Sequence, residues 1–170
     1  MILPILRYPH PKLRTPAAPV EVFNASLVQL LKNMAETLYA ASGIGLAAPQ
    51  VGVSLRVVVL DVVHLTTDFA FLQVLINPEI LRSEGTAIGE EGCLSLPGIL
   101  EPVTRAEKVW VKYQNAAGVE QELEASGILA VCLQHELDHL RGVVFIEHLS
   151  RLKRGLAEKA LLRQTKKALR

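Results

Sequence analysis

The segment QHELDHL at 134–140 constrains this chain more than any other, because its chemistry has meaning only on a helix. His135 and His139 are four residues apart, about one helical turn, so both imidazoles leave the same face roughly 6 Å apart along the axis. Rings so placed can each give one nitrogen to a single divalent ion at about 2.0–2.1 Å. Glu136 lies beside such an ion without needing to bind it, where a carboxylate can take a proton from activated water. The H-E-x-x-H pattern therefore points to a metal hydrolase. It does not name a substrate, and a polar helix face that merely carries two histidines would read the same way.

The 170 residues are expected to form a single catalytic domain, 1–170, long enough to bury a real core. Half are apolar and 21% charged, as in ordinary soluble globular proteins. The total charge of +1 gives no sign of DNA or an acidic substrate, but its distribution is uneven. Residues 151–170 hold eight Lys or Arg against the one acid Glu158, a net of +7, which leaves −6 on the rest. Cys93 and Cys132 are too few for a disulfide scaffold and form no C-x-x-C pair. The N-terminus has no basic region before its short, proline-broken apolar run, so it does not read as a signal peptide. Apolar runs are too short to span a bilayer. The expected setting is cytoplasmic, with both thiols reduced and no membrane contact.

Residues 4–19 hold five prolines and should wrap the surface irregularly. Helical spacing of Leu27, Leu30, Leu31, Met34 and Leu38 predicts a helix over 25–42, capped by Asn24 or Ser26 and followed by Gly43. A glycine-rich loop, GIGLAAPQ, follows at 43–50. Residues 55–61 and 74–76 read as strands, and alternation over 108–113 and 119–125 predicts a hairpin turned by NAAG at 115–118. The metal motif lies on a helix over 128–140, closed by Gly142. A last helix runs from about Ser150, with Leu152, Leu156 and Leu161 docking on the body. Strands come in hairpins rather than alternating with helices, so the class is α+β: antiparallel β-sheets packed around a central metal-binding helix, with a C-terminal helix.

A catalytic site of this type needs a third protein ligand and one open position. Cys132 precedes His135 by three residues, but one straight helix cannot wrap three ligands tetrahedrally, and a small buried hydrophobe is its simpler reading. Glu158 would complete a thermolysin-like site, yet it stands among cations. His10, His64 and His148 are isolated and read as surface or satisfied core histidines. Cys93, in EGCLS at 91–95, is the best choice.

Three blocks, GIGLAAPQ at 43–50, EGCLS at 91–95 and QHELDHL at 134–140, together resemble those of the bacterial-type peptide deformylases, in order and in spacing. The resemblance spans essentially the whole chain. It implies hydrolysis of the formyl group from N-formylmethionine of nascent polypeptides. It implies Cys93, His135 and His139 as ligands of one divalent ion, usually Fe(II), with Zn(II) or Ni(II) also accepted. It implies Glu136 as the proton carrier, and the Gln50 side-chain amide with the Leu94 N–H as donors to the formyl oxygen. Gly45 backbone would pair with the peptide like a strand, and Ile44, Ile128 and Cys132 would line the methionine pocket with Val131. Bacterial members also use a C-terminal helix on the ribosome, which would suit the basic 151–170 tail; a monomer is expected.

Pro49 and Gly89 stand where other members differ, and Gly89 could widen the pocket rim. Leu100 stands near a position where some relatives carry arginine, which puts a substrate contact there in question. Two other readings compete: a general H-E-x-x-H endopeptidase using Glu158, and a non-catalytic metal-stabilised ribosome-binding module. Asp138 and Gln134 flank the histidines, and a supporting salt bridge from Asp138 is one further expectation.

Overall fold

The computed structural model describes residues 1–63 and 71–168, so His64 and the last two residues of the basic tail lie outside the described residues. Helix α1 spans Ala25–Ala40, α2 spans Gly127–Leu140 and α3 spans Arg151–Ala168. Strands β1 (Gly45–Ala47), β2 (Val57–Leu60), β3 (Gln73–Glu84), β6 (Lys108–Gln114) and β7 (Glu120–Ser126) pair antiparallel in the order β1-β2-β3-β6-β7, while β4 (Ala87–Cys93) and β5 (Leu96–Arg105) form a separate hairpin. The α+β reading holds, with helices and antiparallel strands segregated.

The four residues of β2 are all fully buried, and period-two alternation explains how. Val57 and Val59 pack into one core with Leu31, Met34 and Leu38 of α1. Val58 and Leu60 face the opposite way, into a core with Ala130, Cys132, Leu133 and Leu140 of α2. The sheet is thus sandwiched between the two helices, which is why β2 reads as a continuous apolar run. Leu133 and Leu140 anchor the metal helix to the sheet, each burial contributing on the order of 2 kcal/mol. A third core joins the N-terminal segment (Tyr8, Leu13), β5 (Leu96, Val103), the 3-10 turn Phe145–His148 and α3 (Ala157, Leu161).

Local signals fall mostly where expected. Asn24, rather than Ser26, caps α1: its Oδ1 accepts from the Leu27 N–H at 3.1 Å. The left-handed residue after α1 is Ser42, and Gly43 next to it donates to Leu38 O at 3.1 Å. Gly142 closes α2 with a positive φ of 77°; an added Cβ there would stand 2.7 Å from the Arg14 backbone. Two expectations need correction, and one hairpin was not anticipated. The loop at 43–50 is built instead as strand β1 followed by a 3-10 turn, Ala48–Val51. The β4–β5 hairpin escapes the sequence pattern, because its strands mix Gly89, Gly92, Pro97, Gly98 and Pro102 with charges. Leu152 and Leu156 do not dock: they are 75% and 61% exposed. Ala157 and Leu161 make the contact, and Gln164 Nε2 donates to Pro97 O at 3.0 Å on the same face.

Candidate metal centre

Three elements converge on one point. Strand β4 ends on Cys93, α2 carries His135, Glu136 and His139, and the turn after β1 carries Gln50. The ligand atoms of Cys93, His135 and His139 lie within 4.8 Å of one another, the one such group among the described residues. Cys93 Sγ stands 3.3 Å from His139 Nε2. Cys132 and Glu158 are not in the group. Glu158 Oε1 instead accepts from Tyr8 Oη at 3.3 Å and from Arg154 Nε at 3.0 Å, which removes the sequence support for a thermolysin-like ligand.

The surroundings prepare these side chains for a cation. Burial alone would raise the Cys93 thiol, but His139 and His135 beside it outweigh that and bring it down to about 5, so a thiolate prevails at neutral pH. Burial raises the Cys132 thiol well above its ordinary value, and it stays neutral. The fold thus separates the two cysteines, a thiolate in the group that could hold an ion and a neutral thiol in the cavity wall. His135 Nδ1–H donates to Glu91 Oε1 at 2.8 Å, which leaves Nε2 as its free donor atom. Two buried side-chain atoms lack a partner among the described residues, Glu136 Oε2 and His139 Nδ1. Glu136 Oε2 is the one at this centre, an unmet acceptor suited to a site completed by an ion and water, since His139 meets Cys93 through its other nitrogen, Nε2. A thiolate and two imidazoles with one side open to a cavity fit a catalytic divalent metal.

Behind His135 lies a network that sequence reading missed. Arg105 grips Glu91 through two nitrogens of its fork, Nε to Oε2 at 2.9 Å and Nη2 to Oε1 at 2.9 Å. The same guanidinium reaches Asp138 Oδ2 at 2.6 Å, and His148 Nε2 meets that oxygen at 2.7 Å. Arg141 also pairs with Asp138. Burial would raise both carboxyls, but His135 and Arg105 bring Glu91 down to about 2, and Arg105, His148 and Arg141 hold Asp138 below its usual value. His148 is thus a satisfied histidine, and Asp138 makes the expected salt bridge. Only the position of Glu91 within EGCLS hinted at this. Nothing in a linear pattern marks Arg105, 14 residues from Glu91 and 33 from Asp138, as their buried partner.

The open side faces a cavity of about 540 Å³ lined by Ile44, Gly45, Gln50, Cys93, Leu94, Ile128, Cys132, His135 and Glu136 among others. His139 lies behind this wall, 1% exposed. Leu100 lines the mouth; Gly89 does not line the cavity, and nothing stands within 4 Å of where its Cβ would be. Gly45 touches the machinery directly: a Cβ there would fall 2.5 Å from Glu136 Oε1 and 2.7 Å from Cys132 Sγ, so no side chain fits. Among the described residues strand β1 pairs with β2 alone, which leaves its other edge unpaired in the sheet. Leu94 occupies the two-residue turn between Cys93 and Leu96, so its N–H lies outside the ladder. Burial raises the Glu136 carboxyl above its ordinary value, against the lowering influence of His135 and His139.

The family model described as Polypeptide deformylase matches residues 2–155. A peptide deformylase of Chromobacterium violaceum is 51% identical over 165 residues, 97% of each chain. One of Neisseria meningitidis is 50% identical over the same length and coverage. Among solved structures, a peptide deformylase from Legionella pneumophila is similar with a TM-score of 0.93 and 46% identity, covering 100% of this chain and 99% of its own.

Proposed function

The chain belongs to the polypeptide deformylase family, and on that premise we propose how its residues divide the reaction between them. It is a metal-dependent hydrolase that removes the N-formyl group from N-formylmethionine of nascent polypeptides and releases formate. Residues 1–170 act as one catalytic domain. Cys93, His135 and His139 hold the divalent ion, Fe(II) in the cell, with Zn(II) or Ni(II) able to take the same donors. The observation that carries this reading is the close group of three ligand atoms in a site that also holds the buried, unpartnered Glu136 Oε2.

When bound, the ion supplies Lewis acidity and lets water attack with hydroxide character near neutral pH. Glu136 takes the proton as the water oxygen attacks the formyl carbon, holds it on Oε2, and returns it to the departing amine nitrogen. Charge developing on the formyl oxygen is met by the Gln50 Nε2–H and the Leu94 N–H, donors that cannot titrate away. The methionine side chain fills the apolar cavity between Ile44, Ile128 and Cys132. The peptide lies along the open edge of β1 at Gly45, where the missing side chain lets backbone approach backbone.

The test is turnover by anaerobically purified, Fe(II)-loaded protein of formyl-Met-Ala-Ser, acetyl-Met-Ala-Ser and an internal peptide bond. Formate release with the other two substrates untouched is expected. Cleavage of the internal bond would transfer the assignment to an endopeptidase.

The protein works as a monomer in the cytoplasm; among the described residues no helix is long and apolar enough to cross a membrane. The basic tail serves the ribosome. Helix α3 docks through Ala157 and Leu161, which leaves Leu152, Leu156, Lys159, Arg163, Lys166 and Lys167 exposed for rRNA phosphates and ribosomal protein. Binding of this kind releases counterions and weakens steeply with salt. Cosedimentation with ribosomes should fall between 50 and 200 mM salt, by roughly tenfold or more, and be lost in the K159E/R163E/K166E/K167E variant. Salt-insensitive binding, or full binding by that variant, would sink the assignment.

A further inference from the structure

The Gln50 amide is held at both ends. Its Oε1 accepts from the Ala47 N–H at 2.8 Å. Its Nε2 donates to Ser95 Oγ at 3.1 Å and to Cys93 Sγ at 3.6 Å. A primary amide has one acceptor end and one end with two hydrogens. Only the oxygen can take the Ala47 N–H, so that bond decides which way the amide is turned. It does not fix the plane of the group, since the terminal torsion of glutamine is broad. The bond to Ser95 supplies the second point.

Ser95 is suited to this task by its own anchorage. It is fully buried in the two-residue turn between β4 and β5, two residues beyond Cys93. Its carbonyl accepts from the Tyr8 N–H at 2.9 Å, so the N-terminal segment holds the turn from the other side. With one Nε2 hydrogen given to Ser95 Oγ, the other is turned to the long contact with Cys93 Sγ at the cavity wall, where a substrate oxygen can compete for it.

We propose that Ser95 is a positioning residue: its hydroxyl, accepting from Gln50 Nε2, locks the amide so that the remaining N–H is aimed where charge develops on the formyl oxygen. This rests on the reading that Gln50 is a donor in the transition state. Ser95 itself touches neither substrate nor metal, and its effect on turnover passes entirely through Gln50. A donor already aimed needs no reorganisation during the reaction, which is where such groups gain their effect.

A double-mutant cycle tests it, using metal-loaded wild type, Ser95→Ala, Gln50→Ala and the double variant on formyl-Met-Ala-Ser, with thermal unfolding measured alongside. Gln50→Ala should lower kcat by about 10²–10³-fold. Ser95→Ala should lower kcat by about tenfold, the worth of one hydrogen bond, with KM within about twofold. The double variant should match Gln50→Ala alone, because the serine then has nothing to position. Ser95→Thr, which keeps the hydroxyl, should retain kcat to within about threefold. Independent, multiplying losses in the double variant would overturn the proposal, as would a Thr variant as slow as the Ala variant, since packing would then be the cause. Wild-type kcat in Ser95→Ala with a crippled Gln50→Ala overturns the role of Ser95 alone. Wild-type kcat in Gln50→Ala removes the role of Gln50 as well.

Discussion

Replacing Glu136 with glutamine is expected to lower kcat for formate release by about 10³-fold while the protein keeps a full complement of metal. The two side chains have nearly the same shape, and Glu136 Oε2 has no partner to lose among the described residues. What disappears is the ability to take up a proton and give it back. Burial already disfavours the charged carboxylate here, as its raised pKa records. The neutral amide should therefore fold at least as stably, with an unfolding midpoint equal to or above wild type. That combination marks a group kept for chemistry at a cost to stability. Turnover within tenfold of wild type, with metal content unchanged, would remove Glu136 as the proton carrier.

Changing Cys93 to serine should cost at least about 100-fold in metal retention, measured by competition with a chromophoric chelator. The Cys93 thiol is brought down to about 5 by the neighbouring histidines and offers an anionic sulfur at neutral pH. A serine hydroxyl in the same place stays neutral and is a far poorer ligand. His135 and His139 remain one turn apart on α2, so residual weak binding is expected rather than none. Glu158→Ala is the contrasting variant. Its partners are Tyr8 and Arg154, so metal retention should not change. A Cys93→Ser protein that holds metal as tightly as wild type would refute the ligand set, and loss of metal in Glu158→Ala would reinstate the endopeptidase.

Legibility from the sequence followed the range of the physics involved. The H-E-x-x-H face, the α1 stripe, the asparagine cap and the β6–β7 hairpin are all set by residues within a few positions of one another, and each lies where the pattern puts it. The β4–β5 hairpin was invisible because neither strand alternates cleanly; each is held by its partner rather than by its own propensity. The tail shows the same limit on a helix. Leu152–Leu156 and Ala157–Leu161 are equally spaced pairs, and only the shape of the body beneath chose the second.

What the sequence determined by itself was the chemistry: two imidazoles on one helix face, a carboxylate between them, one cysteine in a distinct local block, and one amide after a glycine-rich stretch. Helical and strand periodicity are properties of the backbone, so those placements need no knowledge of the rest of the fold. Tertiary structure decided everything that depends on residues meeting across the chain. It made Cys93 a thiolate and left Cys132 a thiol: burial raises both, and histidines offset it at Cys93 alone. It closed Arg105 on Glu91 and Asp138, and set Ser95 against Gln50 from 45 residues away. Burial and partner distance set those charges and orientations, and both exist only once the sheet, the metal helix and the β4–β5 hairpin have packed together.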